Sequence, residues 1–378
     1  MNATHGLRNK RVIVLRMLCA TSILAMVLSL KGSVNYFEKS TRTLTVCPAE
    51  ACNREDSSCW TFHGHCESFD AISVPTDCRS IAFGGTVVIT AFVQVRADRT
   101  PEQWLNWIEE YAKIPAHVFA WLPKEEPHIT NLFRRRREQY ASKFDTCVVQ
   151  IAATQLPYNY AVKLVREKFA HGLQLPPGWN SDSPEIRIPG YVPLQFSKIP
   201  FMHAASTLLD ASTYIWTDIG LARHVEHFGT LQWPSPVGIE SLRHDSIYLS
   251  SWDGYGDAGN AWDTFCDTLP DSFSDNRNLL SGTVLIATSS TLERILPIWT
   301  YILESMLKRD APWNNEQPVL SLIGCFYPDL IRVIDSRNIQ QLWDTLGSNR
   351  QIEYTQSTVA KDLKLLQRFS QWNTNVPD

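Results

Sequence analysis

Residues 86–95 read TVVITAFVQV, a nearly unbroken run of apolar and β-branched side chains. Such a run is typical of a strand buried on both faces of a parallel sheet. Thr100 and Pro101 follow it, and Thr at the N-cap with Pro at the first helical position predicts the start of a helix. The next predicted elements are a strand at 116–121, a basic helix around 129–143 and a strand at 147–152. This alternation predicts an α/β fold with a mainly parallel sheet flanked by helices.

The same pattern continues towards the end of the chain. Strands are predicted at 214–217, 280–287 and 331–334, and helices at 201–209, 290–307, 319–322 and 363–369. No internal repeat and no long linker interrupts these elements. We therefore expect residues 81–378 to form one domain, which is large for a single core.

The composition is that of a globular protein. Of 378 residues, 44% are hydrophobic and 20% are charged, which excludes a disordered acidic chain. The formal net charge is −4. Proteins that hold a phosphate backbone are usually basic, so the charge argues against nucleic acid as the main partner.

The N-terminal region carries an apolar run at 12–30 that only Arg16 interrupts. Nineteen helical residues span roughly 28 Å, about the thickness of a bilayer core. Residues 1–11 carry more positive charge than the residues that directly follow the apolar run. This bias predicts that residues 1–11 are a cytoplasmic tail and that the rest of the chain is lumenal. The expected topology is a single-pass type II protein of the Golgi or ER membrane. The alternative is a cleaved signal peptide with its apolar region at 17–30, which would release a secreted protein.

Nine cysteines support an oxidising compartment. Cys19 lies in the apolar run, and five of the other eight lie between 47 and 78. An even number beyond the run suits a disulfide framework, and residues 31–80 are predicted to form a Cys-rich stem. The odd number in the stem predicts a bridge to Cys147, Cys266 or Cys325. A metal-binding knuckle around Cys66 is the weaker alternative, because the stem contains no Cys-x-x-Cys.

Asp218 is the first candidate for chemistry. It ends the predicted strand at 214–217, and ligands of open α/β sheets collect at the carboxyl ends of strands. A carboxylate placed there is a suitable ligand for Mg²⁺ or Mn²⁺. The alternative is an Asp that caps a turn.

Several other classes of site are excluded or less favoured. The chain has no Walker P-loop, no Gly-x-Ser-x-Gly, no His-Glu-x-x-His and no Gly-x-Gly-x-x-Gly after the first strand. Four consecutive arginines at 134–137 point around a helix, so a solvated helix is favoured over a phosphate site.

Four blocks in fixed order resemble type A glycosyltransferases, and in particular the HtrL/YibB-like family. They are TVVITAFVQVRAD at 86–98, SKIPFMHAASTLLDASTYIWTDIGLARH at 197–224, LLSGTVLIATSS at 279–290 and WNNEQPVLSLIGCFYPDLIRVI at 313–334. The resemblance implies a Rossmann-like type A (GT-A) fold that binds a nucleotide-sugar donor. The usual Asp-x-Asp is not intact, because Trp216 stands in its first place and Gly220 lies two residues beyond Asp218.

The resemblance also implies roles at the donor diphosphate. Asp218 would hold a divalent metal, Mn²⁺ or Mg²⁺, and His224 or Asp253 would complete the coordination. Lys198 would reach the diphosphate as a point charge, with a solvated helix start as the alternative. Arg96 could reach a phosphate, with a surface loop as the alternative.

The remaining implied residues concern the nucleotide, the sugar and catalysis. Thr90 and Phe92 lie where such folds hold the base, and Ser281 with Gly282 would let the backbone approach the donor sugar. Glu316 would be the catalytic base that takes the proton of the acceptor hydroxyl. Its alternative is a first-turn Glu that stabilises the helix dipole. Asp253, a second candidate for catalysis, lies in a Trp-, Gly- and Asp-rich segment at 252–262 that suits sugar binding.

The expected function is transfer of a sugar from a nucleotide-sugar to a glycan, glycoprotein or glycolipid acceptor. The alternative is a non-catalytic sugar- or partner-binding ectodomain on the same scaffold. A glycoside hydrolase is less favoured, because no pair of acids can be placed from the sequence.

Overall fold

The structure is a computed structural model. The residues it describes are 78, 85–93, 100–164, 191–225, 228, 233–242, 244–251, 280–307, 316–334, 336 and 338–355. The predicted tail, membrane span and most of the stem lie outside these residues, as does the closing helix at 363–369. Within the described part, no helix combines the length and the apolar character needed to cross a bilayer.

Eight strands form one sheet within the residues that the structure describes. They are β1 (Thr86–Ala91), β2 (His117–Pro123), β3 (Thr146–Ile151), β4 (Thr213–Thr217), β5 (Ile247–Ser251), β6 (Leu280–Ala287), β7 (Ile331–Ile334) and β8 (Tyr354–Thr355). Their order across the sheet is β3-β2-β1-β4-β6-β5-β7-β8. All run in one direction except β6 and β8. The predicted α/β class with a mostly parallel sheet is therefore confirmed, whereas β5 and the antiparallel direction of β6 were not predicted.

Eight α-helices accompany the sheet in the described part of the chain. They are α1 (Pro101–Tyr111), α2 (Pro127–Tyr140), α3 (Tyr191–Phe196), α4 (Lys198–Leu208), α5 (Pro236–Glu240), α6 (Ser289–Leu307), α7 (Glu316–Phe326) and α8 (Ile339–Gly347). The predicted start of α1 is confirmed. Thr100 Oγ1 accepts from the Gln103 backbone N–H at 3.3 Å, and the Gln103 side chain accepts from the Thr100 N–H at 3.1 Å. This capping box satisfies two donors that the first turn leaves free.

A stack of three aromatic rings fixes α4 against the sheet. The Phe201 ring on α4 packs 4.9 Å from Trp121 of β2 and 6.3 Å from Trp216 of β4, nearly parallel to both. All three side chains are buried. The helix therefore crosses above β1, and its first residue, Lys198, comes near the carboxyl end of β4.

One predicted disulfide link between the stem and the domain is present. The Sγ atoms of Cys78 and Cys147 lie 2.10 Å apart, and Cys147 belongs to the edge strand β3. Cys325 is also disulfide-bonded. Of the three partners that the cysteine count allowed for the stem, Cys147 is bonded to Cys78 in the part of the chain that the structure describes.

The arginine run at 134–137 is only partly a solvated surface, so the prediction was wrong for Arg137. Its side chain is buried, and its guanidinium donates to the backbone oxygens of Ile114 and Ala116, each at 2.5 Å. It also donates to Thr146 Oγ1 at 2.9 Å. Burial lowers the pKa of Arg137 to about 10. The guanidinium thus satisfies carbonyls at the turn between α1 and β2.

We expect Arg137→Met to lower the free energy of unfolding by about 3 kcal/mol, because it leaves buried carbonyl groups without donors. Arg135→Met is the matched control. Arg135 is exposed on the same helix, and its loss should change stability by less than about 0.5 kcal/mol. Urea unfolding followed by circular dichroism measures both, and equal effects would contradict the structural role of Arg137.

Candidate functional site

A cleft opens at the carboxyl ends of the neighbouring parallel strands β1 and β4. Ala91 and Phe92 line it from the end of β1, and Asp218 lines it directly after β4. The two ends are joined where Thr90 Oγ1 donates to the Thr217 backbone oxygen at 2.8 Å. This is the place in an α/β sheet where ligands bind most often.

Asp218 is held at the edge of this cleft by two contacts. Its backbone N–H donates to the Thr283 oxygen of β6 at 3.0 Å, and Trp216 Nε1 donates to its Oδ1 at 2.8 Å. The side chain keeps 30% of its surface exposed. Trp216 therefore orients the carboxylate, although it stands where the usual Asp-x-Asp has its first acid.

Lys198 is buried beside Asp218. Its side chain is 1% exposed, and Nζ lies 3.0 Å from Oδ1 and 3.1 Å from Oδ2 of Asp218. Nζ also donates to the Gly282 backbone oxygen at 3.0 Å and to Glu316 Oε1 at 2.6 Å. A solvated helix start is thus wrong for Lys198. An ammonium has three N–H donors, and these acceptors engage them, so contact with a phosphate would require one of them to be released.

Glu316 and Gly282 form the inner side of the same cluster. Glu316 begins α7, is buried, and is not among the side chains that line the cleft. A Cβ on Gly282 would overlap the Glu316 carboxylate, with Cγ at 2.5 Å and Cδ at 2.8 Å. In this structure, the absence of a side chain at Gly282 makes room for Glu316.

The charges in the cluster consist of one cation between two carboxylates. Burial alone would lower the pKa of Lys198, but the charges of Asp218 and Glu316 outweigh it and raise that pKa. Lys198 is therefore charged at physiological pH. Burial raises the pKa of Glu316, and the nearby charge of Lys198 opposes the rise.

Aromatic side chains form a second wall of the cleft; the sequence prediction included Phe92 among them but not Trp104 or Trp107. The rings of Phe92 and Trp104 lie 5.0 Å apart, and those of Trp104 and Trp107 lie 4.9 Å apart, both edge-to-face. The Arg223 guanidinium lies 4.8 Å from the centre of the Trp107 ring. Two tryptophans three residues apart on α1 were the available signal, but that spacing equally suits a helix face packed in the core.

The other predicted site residues fall into three groups: some line the cleft, some are buried away from it, and some lie outside the described residues. Gly220 and the exposed His224 line the cleft. Thr90 is fully buried, and Ser281 is buried and bonded to Thr283, so neither side chain lines the cleft. Arg96 and Asp253 lie outside the described residues.

Asp218 and His224 are the described residues suited to a divalent metal. In the part of the chain that the structure describes, no group of three or more His, Cys, Asp or Glu side chains is arranged as a metal site. Carboxylate oxygen and imidazole nitrogen are both ligands of Mn²⁺. Trp216 donates to Oδ1 of Asp218 and Lys198 donates to Oδ2, so each carboxylate oxygen keeps one further lone pair for a metal. These residues therefore fit a cation that takes its remaining ligands from a bound diphosphate.

A scan of protein-family models and a search of curated proteins found no match to this chain. Membership in the HtrL/YibB-like family therefore stays a prediction. The cleft and its side chains are the basis for a functional proposal.

We expect Gly282→Ala to cost about 2 kcal/mol of stability, because the added methyl overlaps the buried Glu316 side chain. Gly220→Ala is the control. A Cβ there lies 3.4 Å from the end of the exposed Arg223 side chain, which can move aside. Differential scanning fluorimetry compares the two variants, and equal melting temperatures would contradict the close packing of Gly282 and Glu316.

Proposed function

We propose that this protein is a metal-dependent glycosyltransferase that moves a sugar from a nucleotide-sugar to an acceptor hydroxyl. The observation that carries the proposal is the partly exposed Asp218 carboxylate in a cleft at the carboxyl ends of β1 and β4. The resemblance of four sequence blocks to type A glycosyltransferases supports the same reading. So does the mostly parallel sheet flanked by helices, which is what we expect of that fold.

The two walls of the cleft suit the two ends of a nucleotide-sugar. Trp104 and Trp107 are partly exposed and offer ring surfaces on which a planar base can stack, while the buried Phe92 packs against Trp104. Asp218 and His224 would hold Mn²⁺ or Mg²⁺. When bound, such a metal neutralises charge on the departing diphosphate. Arg223, at the rim beside Trp107, supplies a positive charge for a phosphate oxygen.

The proposed cellular setting rests on the sequence alone. The predicted type II anchor, lumenal domain and Cys-rich stem together fit the Golgi or the ER. The acceptor would be a glycan, glycoprotein or glycolipid in that lumen. The disulfide between Cys78 and Cys147 supports an oxidising compartment.

A second candidate is a non-catalytic binding module on the same scaffold. Two observations favour it. Glu316, the expected base, does not line the cleft, and Lys198 has its donors engaged within the protein. A module of this kind would bind a glycan or partner without needing a nucleotide.

The decisive measurement is a calorimetric titration of the purified full-length protein with nucleoside diphosphates, with and without Mn²⁺. A transferase should bind at least one of them in a metal-dependent manner and hydrolyse the matching nucleotide-sugar slowly. A panel of donors that gives neither binding nor turnover would overturn the proposal. Binding of glycans with indifference to nucleotide would favour the second candidate.

Asp218→Asn should weaken Mn²⁺-dependent nucleotide binding by at least about tenfold, because an amide is a much poorer ligand for a divalent cation. Asp210→Asn is the control, since Asp210 is exposed and does not line the cleft. The same titration measures both variants. Unchanged binding in Asp218→Asn would remove Asp218 from the metal site.

Trp107→Ala should weaken nucleotide binding about tenfold, in keeping with the usual contribution of one base stacked on an aromatic ring. Tyr140→Ala removes an aromatic side chain that is 50% exposed on α2 and serves as the control. Nucleotide affinity is the readout in each case. If Trp107→Ala lost affinity for Mn²⁺ but kept its affinity for nucleotide, the assignment of this aromatic wall to the base would be contradicted.

A further inference from the structure

The cluster around Lys198 contains one carboxylate that faces the cleft and one that does not. The Asp218 side chain is 30% exposed, whereas that of Glu316 is 5% exposed. Lys198 Nζ is closer to Glu316, at 2.6 Å, than to Asp218, at 3.0 Å. The lysine therefore pairs most closely with the acid that is not among the described residues lining the cleft.

The cluster has a simple electrostatic consequence. A buried ammonium 3.0 Å from Asp218 would by itself largely cancel the charge that Asp218 offers to a cation. Glu316 supplies a second negative charge on the far side of the same ammonium. The three groups then sum to one negative charge, and of the two carboxylates in this cluster Asp218 is the one exposed to the cleft.

We infer that Glu316 is a positioning residue that neutralises Lys198, so that Asp218 keeps a net negative charge for a divalent cation in the cleft. This inference rests on the proposed metal-dependent function and adds a role for a residue outside the cleft. It replaces the expected role of Glu316 as the base that contacts the acceptor. Lys198 in turn fixes the orientation of Asp218, and its three hydrogen bonds go to groups of the protein.

The backbone around the cluster is shaped for this arrangement. Gly282 has no side chain, which leaves the space that the Glu316 carboxylate fills. The Gly282 oxygen accepts the third hydrogen bond of Lys198, at 3.0 Å. Glu316 lies in the first turn of α7, where the helix dipole favours a negative charge. The first turn of α7 and the ammonium of Lys198 therefore favour an ionised Glu316, and the space at Gly282 accommodates its side chain away from the cleft.

The test is the affinity of the full-length protein for Mn²⁺ alone, measured by electron paramagnetic resonance of the free ion. Glu316→Gln keeps the shape of the side chain but leaves Lys198 to neutralise Asp218, so the dissociation constant should rise about tenfold or more. The double variant Lys198→Met/Glu316→Gln removes both charges and should return to within about threefold of the wild-type affinity. Glu138→Gln, an exposed site on α2, is the control.

The recovery in the double variant separates this role from others. A catalytic base would leave Mn²⁺ affinity unchanged in Glu316→Gln, and a merely structural residue would give no recovery. Either result would overturn the inference while leaving metal binding by the wild type, and so the proposed function, in place. Because Lys198→Met alone leaves two unpaired carboxylates and can fail to fold, the comparison uses only the wild type, Glu316→Gln and the double variant.

Thermal unfolding of the same three proteins tests the pairing of Lys198 with Glu316 even if the wild type binds no Mn²⁺. If the wild type binds no Mn²⁺ with or without nucleotide, the proposed function and the cation role both fail. In that case the charge pairing of Lys198 with Glu316 is still supported if the double variant regains the melting temperature that Glu316→Gln loses. It fails as well if the double variant is no more stable than the single one.

Discussion

The ammonium group of Lys198 joins parts of the chain that are far apart in sequence. It connects α4 to Asp218 after β4, to Gly282 in β6 and to Glu316 in α7, across 20, 84 and 118 residues. Burying a charge is costly unless each of its hydrogen bonds is made. The contact is therefore favourable only when all four segments are in place, which ties the geometry of the cleft to completion of the fold.

The antiparallel direction of β6 makes this contact compatible with the rest of the sheet. β6 lies between β4 and β5, and its Thr283 oxygen accepts the N–H of Asp218 just beyond the end of β4. Gly282, the preceding residue of β6, meets both Lys198 and Glu316. One strand thus holds the acid at the cleft and provides the space for the second acid behind it.

Local patterns were enough to predict the elements whose signals lie within a few residues. The apolar run of β1, the Thr100 cap of α1 and the strands β2 and β3 all follow from such signals. β5 was missed because it lies in a polar, Trp-rich region whose pairing partners, β6 and β7, come later in the chain. The burial of Arg137 and Lys198 was missed for the same reason. Their acceptors are mostly distant backbone oxygens and acids, and no short sequence pattern marks either cation as buried.

The replacement of the first acid of Asp-x-Asp by Trp216 is explained by its position in the packing. The Trp216 ring is buried against Phe201 in the aromatic stack that fixes α4, while its Nε1 holds Oδ1 of Asp218. A carboxylate at that position could not fill the buried space that the Trp216 ring occupies. With the position committed to packing, Asp218 is the only acid left on the strand end. A lone acid beside a buried lysine can attract a cation only if the lysine is neutralised elsewhere, and Glu316 is the described residue placed to do this.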